Sequence, residues 1–146
     1  MKKMFLILFL GSIVFAKTIS TDVLKKMQIT DPNKVYIVNF FASWCTSCKA
    51  ELPGIVEFNK KLIKDKNKFE IIGVDVDEEL DEGIAFQKKM GLNFRVINDT
   101  DQSLISYFDP DGIPAIYYIK EGKVKKARFG AEDDIGKVIQ MDLKSL

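Results

Sequence analysis

From Val35 to Phe41 the chain reads Val-Tyr-Ile-Val-Asn-Phe-Phe, apolar at every position except Asn39. A strand with one wet face would alternate polar and apolar residues. A run without alternation, rich in β-branched and aromatic side chains, suits a strand covered on both faces. Such a strand needs helices above and below its sheet. The chain is long enough to supply them: 146 residues, 47% hydrophobic and 29% charged, suffice for one domain with a core and fall short of two. Just beyond the strand the period changes from strand to helix. From Thr46 to about Lys64, Leu52, Ile55, Val56, Phe58, Asn59, Leu62 and Ile63 line an apolar helical face with lysines opposite. Pro53 falls inside this stretch and is expected to kink it.

The remaining segments extend the pattern. Ser20-Thr21-Asp22 opens a short capped helix, and Asp31-Pro32-Asn33 is a turn. Phe69 to Val76 reads as a second central strand, and Leu80 to Met90 as a helix stopped by Gly91. Phe94 to Ile97 reads as a short strand, and Gln102 to Phe108 as a short helix. Asp109-Pro110-Asp111-Gly112 is turn material. Ala115 to Ile119 and Val124 to Phe129 form a hairpin about Glu121-Gly122, and Glu132 to Leu143 closes the chain as a helix. Early strands alternate with helices, which requires right-handed parallel crossovers, whereas the late pair is antiparallel. The expected fold is α/β, with a mixed sheet flanked by helices.

The only two cysteines, Cys45 and Cys48, lie at the junction of the buried strand and the long helix. A disulfide closing so short a loop constrains the unfolded chain little, so reactivity explains the pair better than stability does. At a helix start, free N–H groups and the positive dipole end stabilise an anion. The Cys45 thiolate is such an anion, so its pKa is expected below that of a free cysteine. Cys45 would attack a substrate disulfide, and Cys48, one turn later, would resolve the mixed disulfide.

The stretch Asn39-Phe40-Phe41-Ala42-Ser43-Trp44-Cys45-Thr46-Ser47-Cys48-Lys49-Ala50-Glu51-Leu52-Pro53 resembles the active-site segment of the thioredoxin superfamily. It is similar in particular to the extracytoplasmic TlpA/ResA-type branch, which includes the reductants of cytochrome c maturation. Further landmarks follow in order: Gly73-Val74-Asp75 on the second strand, an extra helix–strand segment from Leu80 to Ile97, and Gly112-Ile113-Pro114 before the hairpin. The resemblance implies a thioredoxin-like fold over residues 17–146. It implies a cis bond at Pro114 and substrate contacts from Trp44, Ile113 and Pro114. It also makes Glu51, three residues after Cys48, a proton acceptor for the resolving thiol. Asn39 stands where thioredoxin has a buried aspartate, which favours that role for Glu51; Asn39 itself is expected to satisfy backbone groups. No cofactor beyond the redox-active disulfide is implied.

The resemblance further implies a protein-disulfide reductase acting on partners such as apocytochrome c. Its electron donor would lie in the membrane, of the DsbD/CcdA kind, and the chain would be monomeric. Thr46-Ser47 departs from the Gly-Pro pair of thioredoxin, which leaves the direction of electron flow open. A disulfide-forming oxidant of the DsbA kind is the alternative, although the chain is short for that type's helical insertion. A copper-handling module is a weaker one, because the chain has no histidine and no metal site is expected. The formal net charge of +1 and the absence of a basic tract argue against nucleic acid as a partner. Lys2-Lys3, an apolar run from Met4 to Phe15 and Val14-Phe15-Ala16 match a secretory signal peptide over residues 1–16, cleaved or retained as an anchor. The expected location is therefore periplasmic.

Overall fold

The computed structural model describes residues 16–146, so the leader segment lies outside the described residues apart from Ala16. In chain order the elements are α1 (Thr21–Lys26), β1 (Val35–Phe41), α2 (Thr46–Leu62), β2 (Phe69–Asp75), α3 (Leu80–Met90), β3 (Arg95–Asn98), α4 (Ser103–Phe108), β4 (Ala115–Lys120), β5 (Lys123–Phe129) and α5 (Ile135–Lys144). The five strands form one sheet in the order β3-β2-β1-β4-β5. β1 pairs parallel with β2, and β2 parallel with β3. β4 runs antiparallel to both β1 and β5. This is the mixed sheet that the sequence predicts, with β1 at its centre and buried at all seven positions.

Alternate residues of β1 feed two cores. Phe40 packs against Phe108 of α4 and Tyr117 of β4, at ring distances of 5.3 and 5.8 Å. Phe41 points the other way, to Phe86 of α3 at 6.1 Å. On that second face α2 lies close against α5: a Cβ on Gly54 would sit 2.7 Å from Ile135. α2 continues through Pro53 as one helix and passes into a 3₁₀ turn at Ile63–Asp65. Gly91 ends α3 in the left-handed region, at φ 63°. Glu121 and Gly122 both take positive φ in the β4–β5 turn, as a tight hairpin of this twist requires.

Most element ends lie within a residue of the sequence reading, and the differences at β3 and α5 have a structural cause. β3 is shifted by one residue, because its register with β2 runs from Ile72↔Arg95 to Asp75↔Asn98. α5 starts at Ile135, not Glu132. The Glu132 N–H is taken by the Glu51 carboxylate, and Asp134 caps the helix by accepting from the Lys137 N–H. Among the described residues no helix is long and apolar enough to cross a membrane.

Candidate active site

The sheet topology gathers the chemistry at one pole. β1, β2 and β3 end there, while antiparallel β4 begins there and β5 ends there. Phe40 of β1 pairs with Ala115 of β4, so the turn carrying Cys45 faces the residues just before β4. Cys45 is the N-cap of α2. Its φ and ψ of −87° and 105° are extended, and its sulfur accepts the Cys48 N–H at 3.2 Å. The same sulfur lies 3.7 Å from the Ile113 carbonyl, and the Ile113–Pro114 peptide is cis. Cys45 and Cys48 form a disulfide, with Cα atoms 5.2 Å apart. Cys45 is 6% exposed and Cys48 not at all, so an incoming group reaches Cys45 first.

Trp44 is 66% exposed and stands on the surface beside the disulfide, ruling out a place in the core. Ile113 is half-buried. Sequence reasoning passed over the far side of the rim. Phe129 ends β5 opposite Ala115 and is about half-exposed, and the Gly130 N–H donates to the Pro114 carbonyl at 2.9 Å. An exposed aromatic at a strand end gave no signal of its own; only the pairing with β4 places it beside Pro114.

Glu51 lies only 4% exposed, on the buried face of α2 that also carries Cys48. One carboxylate oxygen accepts the Glu132 N–H at 3.0 Å; the other has no partner within the protein. Burial pushes its carboxyl up to about 7, against the pull of the Glu132 N–H. A group titrating near neutrality suits proton transfer. Asn39 corrects an expectation: both polar atoms of its buried amide are without partners, so it satisfies no backbone group. Strand alternation puts Asn39 on the Phe41 face, beneath α2.

The near-zero net charge conceals an uneven distribution. The five segments at this pole, 42–45, 76–79, 99–102, 109–114 and 130–134, hold ten carboxylate residues and neither lysine nor arginine. Lys26, from α1, reaches Asp99 and Asp101 at the margin of this region.

A family model described as Thioredoxin-like matches residues 33–122. The thiol-disulfide oxidoreductase ResA of Bacillus subtilis (strain 168) is 32% identical over 108 residues, 73% of this chain and 59% of that protein. The chain spans 59–62% of the length of the ResA proteins it matches first. A solved thiol:disulfide interchange protein of the thioredoxin family from Chlorobium tepidum TLS superposes with a TM-score of 0.63 at 30% identity, covering 77% of this chain and 81% of that one. StoA from Bacillus subtilis shares the fold, with a TM-score of 0.68 at 22% identity over 77% and 84% of the two chains. With the strand order, the Cys45–Cys48 turn and the cis bond at Pro114 already in place, the chain belongs to the thioredoxin-like family, on its ResA-type branch.

Proposed function

We propose that this chain is an exported thiol–disulfide oxidoreductase that reduces protein disulfides through Cys45 and Cys48. One observation carries the reading: Cys45 caps α2 with its sulfur toward the Ile113 carbonyl, and Cys48 is buried directly behind. In the reduced protein the Cys45 thiolate attacks a substrate disulfide. A new S–S bond forms to the substrate, and the other substrate sulfur leaves as a thiolate that takes a proton from solvent. Cys48 loses its proton to Glu51, attacks Cys45 and releases the second substrate thiol. Two electrons pass to the substrate, and the Cys45–Cys48 disulfide is left. The backbone at Ile113, just before β4, and the exposed Trp44 next to Cys45 would offer an extended substrate segment backbone partners and apolar cover.

Cytochrome c precursors with an oxidised Cys pair are the proposed clients, and a membrane dithiol donor of the DsbD/CcdA kind the proposed source of electrons; both rest on the family resemblance. The periplasmic location rests on the leader. The deciding measurement is the reduction potential of the Cys45–Cys48 couple against glutathione or dithiothreitol. A value near or below about −270 mV supports a reductase; one near about −120 mV makes the protein an oxidant and overturns the direction proposed.

A further inference from the structure

Two residues before Cys45, a carboxylate from a different strand end takes hold of the chain. Asp77 accepts the Ser43 backbone N–H on Oδ2 at 2.8 Å and the Ser43 hydroxyl on Oδ1 at 2.8 Å. Asp77 is 4% exposed, and its own N–H is fixed by Asp75 Oδ1 at 3.0 Å. Asp75 Oδ2 in turn accepts from Gln87 Nε2 at 2.8 Å, and Gln87 also donates to Asn98 Oδ1 at 2.7 Å. α3 approaches so closely at Gly83 that a Cβ there would lie 2.9 Å from Asp75 Oδ2. A continuous set of hydrogen bonds therefore runs from Ser43 through two buried carboxylates to α3 and β3.

Strand pairing does not call for this grip. The ends of β1 and β2 are already joined by the Val76 N–H on the Phe41 carbonyl at 2.9 Å. What Asp77 adds is a two-point hold on a very short turn. Only Trp44 separates Ser43 from Cys45, and the Cys45 N–H closes the turn on the Ala42 carbonyl at 3.2 Å. Fixing Ser43 fixes the direction in which Cys45 enters α2, and thereby whether its sulfur faces the helix N–H groups. We propose that Asp77 is a positioning residue of the dithiol site, holding the Ser43–Cys45 turn so that the helix start stabilises the Cys45 thiolate. The proposal rests on Cys45 being the attacking thiol.

The test compares Asp77→Asn with Asp77→Ala. Both lose the charge, but asparagine keeps an oxygen for the Ser43 N–H and can donate to the Ser43 oxygen. In a Cys48→Ala background Cys45 is the sole thiol, and its alkylation rate by iodoacetamide against pH reads its titration. The Ala variant is expected to titrate about one pH unit above the Asn variant, giving roughly tenfold less thiolate below both midpoints. With Cys48 restored, kcat/KM for a disulfide peptide should differ between the two variants by a similar factor. If Asp77 is only a fold-holding residue, the Ala variant unfolds earlier but matches the Asn variant in Cys45 titration and turnover, and the proposal falls. Should the Ala variant not fold, Ser43→Ala removes one of the two holds with Asp77 in place. It is expected to lower alkylation near pH 6 roughly threefold; alkylation equal to the parent overturns the proposal. A parent whose Cys45 titrates near about 8.5, as a free cysteine does, and which exchanges no disulfide removes the proposed function and this inference together.

Discussion

Glu51 makes the stability of the oxidised protein depend on pH in the direction opposite to that of an ordinary surface carboxylate. Its folded-state pKa is raised from 4.5 to about 7, chiefly by burial. The folded state thus binds the proton more tightly than the unfolded chain does. The stabilisation is fully present below the unfolded value and is lost as pH rises through about 7. At 1.36 kcal/mol per pH unit, a rise from 4.5 to about 7 amounts to about 3 kcal/mol. The side chain is almost fully buried, so this figure takes no discount for solvent screening. Asp75, pushed up to about 6 by burial against the pull of Gln87 and the Asp77 N–H, adds a loss of the same sign, but that loss is common to wild type and to any Glu51 variant. Glu51→Gln keeps an oxygen for the Glu132 N–H and carries no charge at any pH. Urea unfolding of both oxidised proteins from pH 4.5 to 8 isolates the Glu51 contribution as the difference between the two curves. Wild type is expected to lose about 3 kcal/mol more than the variant across this range. Parallel curves would refute the reasoning, because Glu51 would then ionise in the folded protein as easily as in the unfolded one.

Other outcomes follow from the packing and the charges. Asp142, buried on α5, is paired with Arg128 and Lys126; burial pushes its carboxyl up, but the two cations outweigh this and hold it well below the usual range. Asp142→Ala should cost about 2–4 kcal/mol at pH 7 by urea unfolding, the low side reflecting partly exposed cations. Since a depressed pKa stabilises above the unfolded value, the penalty should shrink as pH falls below about 4. Phe40→Ala empties the centre of the aromatic cluster with Phe108 and Tyr117 and should cost about 3–5 kcal/mol. Trp44→Ala removes a mostly exposed ring, so unfolding should change by under about 1 kcal/mol while KM for a disulfide peptide rises. The acidic pole should favour cationic peptides: their kcat/KM is expected to fall roughly tenfold between about 10 mM and 500 mM salt, and that of a neutral peptide to stay level.

The parts of this fold that were legible in the sequence are those specified by local chemistry. The unbroken apolar run of β1, the left-handed stop at Gly91 and the Glu121-Gly122 turn each carry their instruction within a few residues. The cysteine spacing and the helical period after it likewise placed Cys45 at a helix start. What escaped was set by contacts distant in sequence. The start of α5 depends on Glu51, 81 residues away from the Glu132 N–H it accepts. The hold on Ser43 comes from Asp77, 34 residues on. In the sequence Asp77 is one acid among several in the 75–82 stretch. Only the fold, which sets the end of β2 beside Phe41 and buries Asp77 against Ser43, shows that it turns inward.

The acidic pole sets two demands against each other at Cys45, and the exposure of acids such as Glu78 and Asp133 separates them. A thiolate is disfavoured by neighbouring carboxylates, yet the proposed reaction needs the thiolate. Charges on the outer loops act through water, where screening weakens them beyond about 8 Å at physiological ionic strength. The Cys48 N–H acts at 3.2 Å from the sulfur, inside a helix start with little solvent access. At that range a direct donor outweighs a screened charge. On the proposal above, the turn geometry governs the nucleophile, while the outer acids govern which partners approach it. Neutralising surface acids such as Glu78 and Asp133 should accordingly change the salt dependence of kcat/KM and leave the Cys45 titration within a few tenths of a pH unit. A titration that moved with those acids as far as it moves with the Ser43–Asp77 contact would show that the pole's charge, and not the turn, sets the thiol's reactivity.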